Sequence, residues 1–135
     1  MTDVQRATEL LGKSSYVLLT TSRRDGRLVP TPVWAAPYGD GRLVLVTQDT
    51  TGKVKRLRRE PQVLLAPCSN RGKPYGRPVR GTAELLGPEE LPEVERVLAA
   101  KYGLQFQLFT RVEGFMQRRG RMQGERVGVV LTVTD

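Results

Sequence analysis

The chain has 135 residues, no histidine, one cysteine and a net charge of +8. The missing histidine excludes Ser-His and Cys-His nucleophile pairs and the usual zinc sets, and a lone Cys68 closes no internal disulfide, which suits a reducing cytoplasm. No apolar run approaches the roughly 20 residues of a membrane span and the first residues do not read as a secretory leader, so the expectation is a single cytoplasmic domain over residues 1–135. An enzyme of this composition has to lean on a cofactor for its chemistry.

In chain order, residues 3–13 put Val4, Ala7, Leu10 and Leu11 on one helical face, with Asp3 at the start. "SYVLLTTS" (15–22) reads as a strand, and Asp25-Gly26 supplies a hairpin turn. The next strand, "LVPTPVWAAP" (28–37), holds Pro30 and Pro32, so it must run along an edge or be bulged. A turn, "YGDG" (38–41), leads to "RLVLVT" (42–47). A short helix over 52–60 follows, then the strand "QVLLAPC" (62–68).

The loop "SNRGKPYGRP" is rich in turn formers and precedes "VRGTAELL" (79–86), whose interior Gly81 marks a bulge or a close contact. Gly87, Pro88, Glu89 and Glu90 open a helix with Leu91, Val94, Val97, Leu98 and Tyr102 on its apolar face, ended by Gly103. Residues 105–119 repeat Phe106, Phe109, Val112 and Phe115 or Met116 at helical spacing. "RVGVVLTVT" (126–134) is the last strand. After the first helix, the order β-β-β-α-β-β-α-α-β is dominated by hairpins. It predicts a mainly β (α+β) fold, a small antiparallel barrel flanked by helices. Two barrels fit: the OB fold of nucleic-acid binders and the split barrel of flavin binders.

The charge is concentrated. Between Lys53 and Arg80 stand nine cations and one acid, Glu60; taking these from the totals of 22 and 14 leaves thirteen of each sign elsewhere. Such asymmetry points to an anionic partner, against the plainer reading of a solvated basic surface. Within it, "TTGKVKRLRRE" (50–60) is an anomaly. Val54 and Leu57 form a buried stripe, Thr50 and Thr51 are candidate N-caps, and Pro61 stops the helix. Yet Lys53, Lys55 and Arg56 crowd a helix start that already carries about half a positive charge.

"VPTPVWAAPYGDGRLVLVTQDTTGKVKRLRREPQVLLAPC", with the later "GRPVRGTAELL", resembles the flavin and deazaflavin split-barrel oxidoreductases related to pyridoxamine phosphate oxidase. The resemblance covers residues 5–133, and its most specific part is Thr47 at a strand end followed by Gly52-Lys53-Val54 opening a helix. It implies the FMN-binding type of split barrel. It also implies that a cofactor phosphate sits at this helix N-terminus, held by backbone amides, a hydroxyl and a lysine. The cations of the helix then become charge-assisted partners of that phosphate.

On this resemblance the cofactor site comprises Thr31, Pro32, Val33 and Trp34 beside the ring, Val46 and Thr47 at a strand end, and Thr51, Gly52, Lys53 and Arg56 around the phosphate. Trp34 reads equally as core, Arg59 as solvated, and Cys68 as a small buried hydrophobe. The nearest branch uses the deazaflavin coenzyme F420, whose polyanionic tail suits nine cations better than the single phosphate of flavin mononucleotide (FMN), the alternative cofactor.

The expected activity is hydride transfer between F420 and a small electron-poor substrate, in a homodimer. Tyr38, Tyr75 or a water is the proton donor. Two other readings are a cofactor-binding protein without turnover and an OB-like nucleic-acid binder. The last predicts aromatics on exposed strands, whereas only Tyr16 and Trp34 fall on predicted strands.

Overall fold

Thr2, not Asp3, caps the first helix. Its hydroxyl accepts from the Gln5 N–H while the Gln5 side chain accepts from the Thr2 N–H, a reciprocal capping box. The computed structural model describes residues 2–39, 41–108, 111 and 125–134. Helix α1 (Asp3–Lys13) is followed by strands β1 (Tyr16–Ser22), β2 (Leu28–Val33), β3 (Ala36–Pro37) and β4 (Arg42–Gln48). Helix α2 (Gly52–Arg59), β5 (Gln62–Cys68) and β6 (Val79–Leu85) come next. A 3-10 turn at Pro88–Glu90 introduces α3 (Leu91–Tyr102), and β7 (Arg126–Val133) completes the described elements.

The strands form one antiparallel sheet in the order β2-β1-β5-β6-β7-β4-β3. Its two edge strands are neighbours in sequence, separated only by Trp34 and Ala35. Laid flat, seven strands would hold the edges roughly 29 Å apart, while three Cα–Cα steps reach at most about 11 Å. The sheet must therefore curl until its edges nearly meet, and the seam is covalent rather than hydrogen-bonded. This is a split antiparallel barrel.

The expected strand over 28–37 is thus two strands on opposite edges, with the bend at Trp34–Ala35. Pro30 and Pro32 lie on the edge strand β2, opposite Thr20 and Leu18. Two residues apart, they aim their missing donors at the same side, an arrangement suited to an edge. Gly81 is a close approach, since a Cβ there would stand 2.8 Å from the Thr132 carbonyl.

Alternation along the strands divides the core in two. Leu43, Leu45, Val129 and Leu131 face the barrel interior with Val17, Leu19 and Leu65, and α1 and α2 contribute Leu11 and Leu57. On the outer face Val44 packs with Val94 and Leu98 of α3, together with Ala36 and Phe106. Leu10 was expected on the buried face of α1 but is exposed, because Val4, Ala7 and Leu11 already complete the stripe. Of the helix expected over 105–119, residues 104–108 are helical and Phe106 is buried. Phe109, Val112, Phe115 and Met116 lie outside the described residues. No helix among the described residues is long and apolar enough to cross a membrane.

Candidate functional site

Where β4 runs out of the barrel, Thr47 keeps the inward parity of Leu43 and Leu45 and reaches the rim, 9% exposed. Together with Val46 and Gln48 it lines a cleft of about 270 Å³. Pro32, Val33 and Trp34 form the facing wall, and Lys53 stands at the edge. Six of the ten residues expected at the cofactor site therefore meet in one cleft. Tyr16, Gln48, Leu98 and Phe106 complete the lining; none was anticipated, because their approach depends on sheet closure and on α3 crossing the outer face.

The other four expected residues lie beside the cleft, not in its wall. Thr51 caps α2, its hydroxyl accepting from the Val54 N–H at 3.4 Å and donating to the Gln48 carbonyl at 2.9 Å. Gly52 opens the helix. Arg56 folds back toward the helix start, as helical side chains do, so that its Nη1 stands 2.7 Å from where a Cβ on Gly52 would be. The Arg56 Nε donates to the buried Thr21 hydroxyl at 2.6 Å. Thr31 is a half-buried β2 residue opposite Leu19, one step along from the cleft-lining Pro32.

The electrostatics are those of a cationic pole under load. The first turn of α2 holds no acid. Lys53 is half-buried, and burial followed by the charge of Arg56 pushes its ammonium below the ordinary lysine value. Burial, then Arg23 and Arg59, likewise press Arg56 below the usual guanidinium range. An anion at this pole would offset the burial of both cations by direct attraction and damp the repulsion between them, and the free N–H groups of the helix start would bind it. The donors and the adjoining apolar wall of Val33, Trp34, Val46 and Leu98 fit a phosphate joined to a flat ring.

Other expected roles sort differently. Arg59, read as solvated, donates through Nη2 to the Ser22 carbonyl although the residue is exposed. Neither Tyr38 nor Tyr75 lines the cleft; Tyr16 does. Cys68 is buried, and burial pushes its thiol up. Trp34 serves in both ways foreseen for it, packing on the outer core and lining the cleft. A larger cleft of about 720 Å³ lies between α1 and the β3–β4 turn. It has no aromatic wall, and its cations Lys13 and Arg42 are accompanied by Glu9.

Comparison with known proteins is consistent with this geometry. A conserved hypothetical protein of Mycobacterium tuberculosis, Rv2991, superposes with a TM-score of 0.66 at 22% identity, covering 100% of this chain and 82% of that one. An F420 reductase superposes with a TM-score of 0.58 at 19% identity over 94% of this chain and 93% of that one. The haem storage protein HutZ of Vibrio cholerae reaches 0.63 at 14% identity over 96% and 89% of the two chains. At these identities the likeness shows the fold alone. No curated protein matches the chain. The family described as Pyridoxamine 5'-phosphate oxidase matches residues 4–135, and the chain belongs to that family.

Proposed function

We propose that the protein is an F420-dependent oxidoreductase acting as a cytoplasmic homodimer. The observation that carries this reading is the junction of two unlike surfaces. An acid-free helix start bearing Lys53 and Arg56 adjoins a cleft walled by Trp34, Val33 and Val46. Lys53 and the N–H groups of the first turn of α2 would hold the phosphate and Thr47 would offer a hydroxyl, while Thr51 keeps its proton on the Gln48 carbonyl and fixes the helix start. Val33, Trp34 and Val46 flank the ring and exclude water from one face. When bound in its reduced form, the deazaflavin would supply a hydride to an electron-poor small molecule and be oxidised in turn; the protein binds, orients and shields. An F420 reductase shares this fold.

F420 is favoured over FMN by the distribution of charge. The loop after β5 carries Arg71 and Lys73, and its Gly72 packs beside Leu18 and Pro32, the latter a cleft residue. A loop with two cations next to the Pro32 wall suits a ligand with more than one anionic group. Haem is disfavoured, because a chain without histidine offers no imidazole to the iron.

Absorption-monitored titration with F420 and with FMN tests the reading. Saturable F420 binding, with turnover of the reduced coenzyme against an electron-poor acceptor, is the expected result. FMN binding alone would move the protein to the flavin branch, and binding without turnover to the carriers. A nucleic-acid binder contacting six to ten phosphates would lose roughly a thousandfold or more in affinity between about 50 and 200 mM salt. A cofactor with fewer contacted charges should lose far less.

A further inference from the structure

Ala35 is fully buried and belongs to neither β2 nor β3, so it has no ladder of its own. A buried backbone N–H or C=O left unpaired costs as much as a lost hydrogen bond. Both partners come from the end of α3. The Tyr102 hydroxyl accepts from the Ala35 N–H at 3.1 Å, and the Lys101 ammonium donates to the Ala35 and Ser14 carbonyls, each at 2.6 Å. With the Ala35 carbonyl engaged by Lys101, the single phenol proton is better used on the Ser15 carbonyl at 2.9 Å than on Ala35 at 3.0 Å. Burial holds this phenol up at about 12, so it stays a donor through the neutral range.

The same side chain grips the neighbouring residue. The Tyr102 ring stacks on the Trp34 indole at 4.9 Å and 13°, and Tyr16 stands at 6.5 Å, tilted by 58°. Trp34 and Tyr16 line the cleft, whereas Tyr102 does not. We infer that Tyr102 is a positioning residue for the cleft, setting the stance of the Trp34 wall through the Ala35 backbone and the stacked indole. It acts on the ring half of the ligand and leaves the phosphate half, at α2, untouched. The inference rests on the cleft being a cofactor site.

Trp34 is the sole tryptophan of the chain, so its emission reports on this contact with or without ligand. In Tyr102→Phe the stack remains while the hydroxyl is lost. The ligand-free variant should show a red-shifted Trp34 emission more open to acrylamide quenching. Affinity for F420 or FMN should fall roughly 2- to 13-fold, the order of one of the two hydrogen bonds that the hydroxyl makes. The inhibition constant of inorganic phosphate as competitor should not change, which separates positioning from general weakening of the fold. Unchanged emission with unchanged cofactor affinity overturns the inference, and so does an equal loss for phosphate and cofactor. Should the wild-type chain bind neither cofactor, the proposed function fails, and the emission arm alone decides the clamp. Should Tyr102→Phe fail to fold, Lys101→Met removes the other tie to Ala35 and is read by the same measurements.

Discussion

Helices α1 and α2 each bury a stripe in the same small barrel and end in basic residues, but they treat the positive ends of their dipoles in opposite ways. In α1 Thr2 and Gln5 form a capping box, Asp3 occupies the first turn and Lys13 the last, so the charges at both ends sit where the dipole favours them. In α2 Thr51 is a proper cap, yet the first turn holds Lys53 and no acid, and Arg56 folds back over Gly52. The chain has fourteen acids to spend, and places just one, Glu60, among the nine cations between Lys53 and Arg80. A cation such as Lys53 in the first turn costs roughly 0.3–1 kcal/mol. A helix that forgoes that stability beside an aromatic cleft is what the proposed anion site requires, whereas α1 shows no such sacrifice.

Making α2 resemble α1 should produce the largest effect. Lys53→Glu puts an acid in the first turn, and cofactor binding should fall by more than the roughly 10- to 150-fold expected for losing a hydrogen bond to a charged group. The ligand-free chain should melt higher, since an acid at a helix start contributes about 0.3–1 kcal/mol. Titration and thermal melting of the same sample check both signs. Retained affinity would erase the distinction between the helices.

Removing the two caps sharpens the comparison. Thr2→Ala and Thr51→Ala should each cost about 1 kcal/mol in urea denaturation. Only Thr51→Ala should also weaken cofactor binding. Equal binding losses would show that capping acts through stability alone.

Proton linkage gives a smaller effect. Lys53 in the empty chain titrates below the ordinary lysine value because of burial and Arg56. The unfolded chain therefore holds this proton more tightly, and the resulting penalty on folding is relieved as pH rises from the lowered value toward 10.5. A bound phosphate raises the Lys53 value again. Binding should then take up a proton in that alkaline window, and affinity should fall as pH rises through it. Calorimetry in buffers of different ionisation enthalpy measures the uptake, and no uptake would place Lys53 away from the anion.

Arg58→Ala should do least. Arg58 is exposed, so stability should stay within about 0.5 kcal/mol and affinity should not change. It is a cleaner control than Arg59, which bonds Ser22.

The element order and the α2 anomaly were legible because both are local. Strand and helix periods, the proline pair at 30 and 32 and the Gly52-Lys53 opening need only a few neighbouring residues to be read. The division of 28–37 between two sheet edges was not legible, since the bend at Trp34–Ala35 follows from closure of the whole sheet. For the same reason Tyr102, 67 residues from Ala35, read only as part of an apolar helix face. Leu98 and Phe106 read as core, and they are core; that they also border the cleft depends on where α3 crosses β4. Arg56 reaches back to the start of α2, as a helical side chain should, but its hold on Thr21 could not be seen from a single helix.

If Lys53 binds an anion at the start of α2, Lys53→Ala must change affinity and stability in opposite senses. Calorimetric titration of F420 and FMN should show a loss of roughly 1.5–3 kcal/mol in binding, about 10- to 150-fold in affinity, for the cofactor that the wild-type chain binds. Urea denaturation of the same ligand-free variant should show stability equal to or above wild type. Unchanged affinity together with lowered stability would contradict the account and leave the cations of α2 as surface charge.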